Sequence, residues 1–113
     1  TTEAQRVVFE KAVAAGATLL YGTDAGVLPH DMGGWQFEIM VKRAMTPMQA
    51  IKSATSVAAK HMEMDDEVGA LLVGLRADLI AVPGDPMADV KSLREVSVVI
   101  KNGIVVKTPE DAR

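Results

Sequence analysis

The stretch Ala17-Thr18-Leu19-Leu20-Tyr21-Gly22-Thr23-Asp24-Ala25-Gly26 decides how the rest of the chain is read. Its first half is apolar and does not alternate, the pattern of a strand buried on both faces, as in a parallel sheet. Its second half sets a carboxylate between two glycines, just past the end of that strand. In α/β architectures this is the end at which reacting side chains are presented. Asp24 there can ligate a divalent metal or serve as a general base toward water, and it can equally close the loop through an Asx-turn.

Upstream, Thr2 and Gln5 have the spacing of a capping box, and Val7, Val8, Ala12 and Ala15 form an apolar stripe at helical spacing. Gly16 stands at the C′ position. Helix, glycine turn and buried strand make the αβ half of an α/β repeat. Downstream, a loop carries Pro29, His30 and Gly33-Gly34. Helical periodicity then resumes through Trp35, Phe37, Ile39, Met40 and Ala44. Thr46-Pro47-Met48-Gln49 is a second capping box with Pro at N1, opening a helix with Ala50, Ile51 and Ala54. Thr55 or Ser56 can cap a further short helix, Val57 to Met62.

From Glu63 the pattern changes to short strands. Val68-Gly69-Ala70-Leu71 and Ala77 to Val82 read as two of them, and Gly84-Asp85-Pro86 as a turn. Val96 to Ile100 and Ile104 to Val106 flank Asn102-Gly103, the strongest short hairpin signal. Sheets of so few strands are marginal alone and gain stability when other strands complete them. The expected division is 1–62 as an α/β part and 63–113 as an all-β part.

Composition narrows the function classes. With 113 residues, 49% hydrophobic, 24% charged and a net charge of −3, the chain is long enough for one modest core but too short for a (β/α)8 barrel of about 250 residues. Neither a basic stripe nor a stacking platform is present, so nucleic acid is not an expected partner. The absence of cysteine excludes disulfides, thiolate zinc sites and a cysteine nucleophile. No apolar run approaches the roughly 20 residues of a membrane span, and no signal peptide is visible, so a cytoplasmic location is the default expectation. An N-terminus without Met that runs straight into a helix suggests a part of something longer, as a trimmed protein would also look.

Taken together, the order of these pieces resembles the amidohydrolase superfamily. It is carried by Gly22-Thr23-Asp24-Ala25-Gly26, Glu38-Ile39-Met40-Val41, Met45 to Ala50, Ala54 to Ala59, Val68-Gly69-Ala70, Gly74 to Leu79, Gly84-Asp85-Pro86 and Val98 to Gly103. Similarity is greatest to the imidazolonepropionase-like and Xaa-Pro dipeptidase-like branch, over nearly the whole chain. The resemblance implies that residues 1–62 are the last helix-strand-helix portion of a TIM-like (β/α)8 barrel, and that 63–113 give the C-terminal strands of a small β-sandwich. It implies a parent enzyme that hydrolyses an amide bond in a dipeptide, N-acyl amino acid or cyclic amide, using one or two zinc ions. Asp24 matches the family's metal-binding and proton-shuttling carboxylate. His30 lies near a point where many relatives carry a histidine, which implies contact with the substrate; read by itself it is equally a solvated loop imidazole.

The departures matter as much. The family's other ligands include a His-x-His pair, whereas this chain has only His30 and His61. A catalytic zinc normally takes three protein ligands and a water. The chain alone is therefore expected to be inactive and not to retain zinc, its partners being the remainder of the same polypeptide and the amide or dipeptide substrate. The alternative is a non-catalytic binding or assembly module that covers its bare surfaces by homo-oligomerising. His61, near a helix end, is expected to complement the helix dipole. The methionines at 40, 45, 48, 62 and 64 are expected to fill core, and Asp78 to meet backbone amides at a strand edge.

Overall fold

The computed structural model describes residues 3–22 and 34–109, and in them helices come first and an antiparallel sheet second. Helix α1 spans Glu3–Ala14, α2 Trp35–Arg43, α3 Pro47–Ala54 and α4 Ser56–His61. A 3-10 helix, Val90–Arg94, lies between strand β1 (Leu79–Ala81) and strands β2 (Val98–Lys101) and β3 (Ile104–Lys107). None of these helices is long and apolar enough to cross a membrane.

Local chemistry explains most boundaries. At the end of α1 the Gly16 amide donates to the Val13 carbonyl and the Ala17 amide to that of Ala12, each at 3.0 Å. This is the Schellman pattern, closed by Gly16 at φ 77°. The α3 capping box forms in full: the Gln49 amide donates to Thr46 Oγ1 at 3.2 Å, and the Thr46 amide to Gln49 Oε1 at 2.8 Å. Thr55 holds the N-cap position of α4 without capping it, because its hydroxyl donates back to the Ile51 carbonyl of α3 at 2.9 Å.

The helical core is small. Met40, Met45 and Ala50 are buried, with Phe9, Val13, Leu19, Tyr21, Phe37 and Val41 packed around them. Phe37, Met40 and Val41 share a face of α2 at i, i+3, i+4, and Phe9 and Val13 do so on α1. The expected stripe of α1 is thus rotated: Val8 and Ala15 are exposed, since Phe9, with the larger apolar area, takes the inward position. Of the five methionines expected in the core, Met40 and Met45 are buried there and Met64 is half-buried, but Met48 and Met62 are exposed. On helices this short, only one face meets a neighbour.

Two expected strands are absent from the described residues. Ala17 to Gly22 carries no sheet ladder. Leu19 and Tyr21 turn toward the core, the Tyr21 amide donates to the Ser53 carbonyl at 3.0 Å, and Leu20 is 44% exposed. Only one side of this run is covered, and a parallel strand needs neighbours to pair with. Val68 to Leu71 is likewise not a strand. Gly69 sits at φ 104° so close to α4 that a Cβ there would stand 2.6 Å from the Ala59 Cβ, so this stretch bends onto the helix instead of extending.

The sheet has the order β1-β2-β3, antiparallel throughout. Leu79 pairs with Ile100 and Ala81 with Val98; across the hairpin Lys101 pairs with Ile104 and Ile100 with Val105. A register shift falls between Val99 and Ile100. The Asn102-Gly103 hairpin forms as expected, with φ 51° and 79°, the signature of a type I′ turn. Asp78 also behaves as expected: its Oδ1 accepts the Asn102 amide at 2.6 Å.

Candidate functional site

Asp24 and His30, the residues singled out for chemistry, lie outside the described residues. What the structure describes is the framework on either side of them. On the upstream side, the Tyr21 ring stacks on Phe37 of α2, with centroids 4.7 Å apart and planes at 17°. Burial raises the Tyr21 hydroxyl above the usual phenol pKa, because the charged form would lose water.

On the downstream side, the first turn of α2 is fastened to the 3-10 helix. The Arg94 guanidinium lies 3.5 Å over the Trp35 ring and pairs with the Glu38 carboxylate. Both partners of that ion pair are largely covered, which spares it much of the screening that weakens surface pairs. Gly34 allows the approach, since a Cβ on it would stand 2.4 Å from the Leu93 carbonyl oxygen. Nothing in the sequence pointed to this cluster. Trp35 and Arg94 are far apart in the chain, and neither belongs to a motif.

His61 ends α4, exposed, beside Lys60 in the same last turn, the end at which cationic side chains complement the helix dipole. Among the described residues no three His, Cys, Asp or Glu side chains converge to hold a metal ion. A cleft between α1, residues 17–19 and α3 is lined by Val13, Thr18, Leu19, Gln49, Lys52 and Ser53.

Helices followed by a small antiparallel sheet, with a Gly-Thr-Asp-Ala-Gly segment between α1 and α2, define a class rather than a single protein. The model of the amidohydrolase family matches residues 2–106, and the chain belongs to that family. Among curated proteins it is similar to an ochratoxinase from Aspergillus niger, at 34% identity over 116 residues covering 93% of this chain and 24% of the relative. Among solved structures it is similar to a Xaa-Pro dipeptidase with methionine bound in its active site, with a TM-score of 0.86 and 41% identity over 90% of this chain and 25% of that one. The A. niger ochratoxinase structure superimposes with a TM-score of 0.81 and 33% identity, over 98% of this chain and 28% of the other. The chain thus spans about a quarter of the length of these hydrolases.

Proposed function

We propose that this chain is the C-terminal part of a metal-dependent amidohydrolase that cleaves an amide C–N bond in a dipeptide, N-acyl amino acid or cyclic amide. The observation that carries the reading is the 41% identity and TM-score of 0.86 with a Xaa-Pro dipeptidase. In this reading residues 1–62 close a TIM-like barrel and 63–113 complete a β-sandwich. Two features of the fold support it. Ala17 to Gly22 offers an unladdered backbone and the bare side chain of Leu20, as a barrel strand would without its neighbours. Ile104, Val105 and Val106 leave β3 apolar and exposed along a sheet edge, as a sandwich strand would without its partner layer.

Asp24 then takes a proton from the attacking water and returns it to the leaving nitrogen, and His30 contacts the substrate. A bound zinc ion would polarise the amide carbonyl and acidify the water. The His-x-His pair that the family resemblance implies for the metal is missing from this sequence, and among the described residues no three His, Asp or Glu side chains converge, whereas a catalytic zinc normally takes three protein ligands. The remaining ligands therefore belong to the rest of the polypeptide, and the chain alone is inactive.

Complementation tests this. A Xaa-Pro dipeptidase truncated to lack the portion that this chain matches is mixed or co-expressed with the chain, and hydrolysis of Xaa-Pro dipeptides is followed. Restored hydrolysis that is lost with Asp24→Ala supports the reading. Hydrolysis by the chain alone, or by the pair irrespective of Asp24, refutes it.

A further inference from the structure

Asn102 is the only asparagine in the chain, and glycine follows it. An Asn-Gly pair is chemically vulnerable, because no side chain on the second residue shields its backbone nitrogen from the carboxamide of the first. Both residues are exposed here, at the tip of the β2–β3 hairpin. Two hydrogen bonds nevertheless tie them down. The Gly103 amide donates to the Ala77 carbonyl at 3.0 Å, and the Asn102 amide to Asp78 Oδ1 at 2.6 Å. Both acceptors come from the segment that leads into β1, so the turn is pinned from across the sheet.

We propose that Asn102 is a site of spontaneous deamidation that the fold holds in check, so that conversion proceeds only through opening of the β2–β3 turn. The reaction needs water alone. The Gly103 nitrogen gives up its proton to solvent and attacks Asn102 Cγ; the carboxamide C–N bond breaks and ammonia leaves, closing a five-membered succinimide. Water then opens the ring at either carbonyl, leaving aspartate or isoaspartate. The attack requires the same Gly103 N–H that Ala77 binds, and it requires the backbone at Asn102 to rotate out of the left-handed turn that its φ of 51° defines.

The product carries a consequence for the sheet. A new carboxylate appears beside Asp78, whose oxygen is already committed to the Asn102 amide. Isoaspartate also adds a main-chain carbon where Lys101 must pair with Ile104. Deamidation thus removes the turn that had slowed it, and it does so once per chain, because no other asparagine is present. Net charge moves from −3 to −4, one unit more negative.

The test incubates the 113-residue chain at mildly alkaline pH, beside a peptide of residues 98–107, and follows the mass change of NH exchanged for O together with the new isoaspartyl bond. Gln5, Gln36 and Gln49 would give the same mass change without an isoaspartyl bond, so fragmentation together with that bond assigns the change to Asn102. The expected rate in the chain is at least about tenfold below that of the peptide, in line with protection by a folded hairpin. Asp78→Ala is expected to recover several-fold of the peptide's rate, and Asn102→Gly, which keeps the turn conformation, to abolish the signal. Amide exchange at Gly103 provides the control for folding. Deamidation as fast as in the peptide while that amide is protected overturns the proposal, as does an unchanged rate in Asp78→Ala.

Discussion

Replacing Gly34 by alanine isolates the contact that joins the helical part to the 3-10 helix. Gly34 has φ −64° and ψ −22°, a conformation open to any residue, so backbone strain plays no part. Taken alone, such a change stabilises by about 0.4–1 kcal/mol, because the unfolded chain loses freedom. The added methyl, however, would lie 2.4 Å from the Leu93 carbonyl oxygen, 2.9 Å from its carbon and 3.0 Å from the Arg94 Cα. All three are backbone atoms and cannot rotate aside. Ordinary contact begins at 3.4 Å, so α2 and the 3-10 helix must part by roughly 1 Å, the difference between 3.4 and 2.4. Overpacking of this kind costs about 1–3 kcal/mol, which leaves a net loss near 2 kcal/mol at its upper end. For a domain of this size that lowers Tm by roughly 8 °C. Trp35 is the sole tryptophan and lies under Arg94, so its emission reports both the melt and the native contact. Gly22→Ala is the control, since a Cβ there meets nothing within 4 Å. A Gly34→Ala chain as stable as the parent, with unchanged Trp35 emission, would refute the reasoning.

Other outcomes follow from the same structure. Thr46→Ala removes one half of the α3 capping box and is expected to lower stability by about 1 kcal/mol in urea unfolding. Met40→Ala should cost about 2–3 kcal/mol, because the side chain is 5% exposed, whereas exposed Met48→Ala should cost little. Burial raises the folded pKa of Tyr21 above its value in the unfolded chain. The stability it contributes is therefore complete below the ordinary phenol pKa of about 10 and is lost as pH rises through the folded value. Tyr21→Phe should flatten the fall in stability in that alkaline window, as urea midpoints measured across pH will reveal.

Elements whose cause is local were legible in the sequence. The α3 capping box, the Gly16 terminus of α1 and the Asn102-Gly103 turn each depend on residues a few positions away or on one strongly preferred conformation, and Asp78 is legible as meeting backbone amides although its partner stands 24 positions away. Elements whose cause is distant were not. Ala17 to Leu20 has the apolarity of a buried strand, but a strand exists only with a ladder partner, and none stands beside it among the described residues. Val68 to Leu71 bends because Gly69 meets Ala59, a contact that no spacing announces. The Arg94, Trp35 and Glu38 cluster is hidden for the same reason. Nor does local pattern say which of two adjacent valines on α1 faces inward; the large ring of Phe9 settles that. The family was legible because it rests on the order of many short motifs, each weak alone.

The central claim is that Asp24 is one ligand of a metal site completed by residues outside this chain. Zinc content of the purified chain after equilibrium dialysis tests it most directly, measured beside Asp24→Ala. The account predicts no stoichiometric zinc in either protein, since one carboxylate does not make a site. One tightly held equivalent that disappears in Asp24→Ala would contradict it, because the chain would then build a complete site of its own.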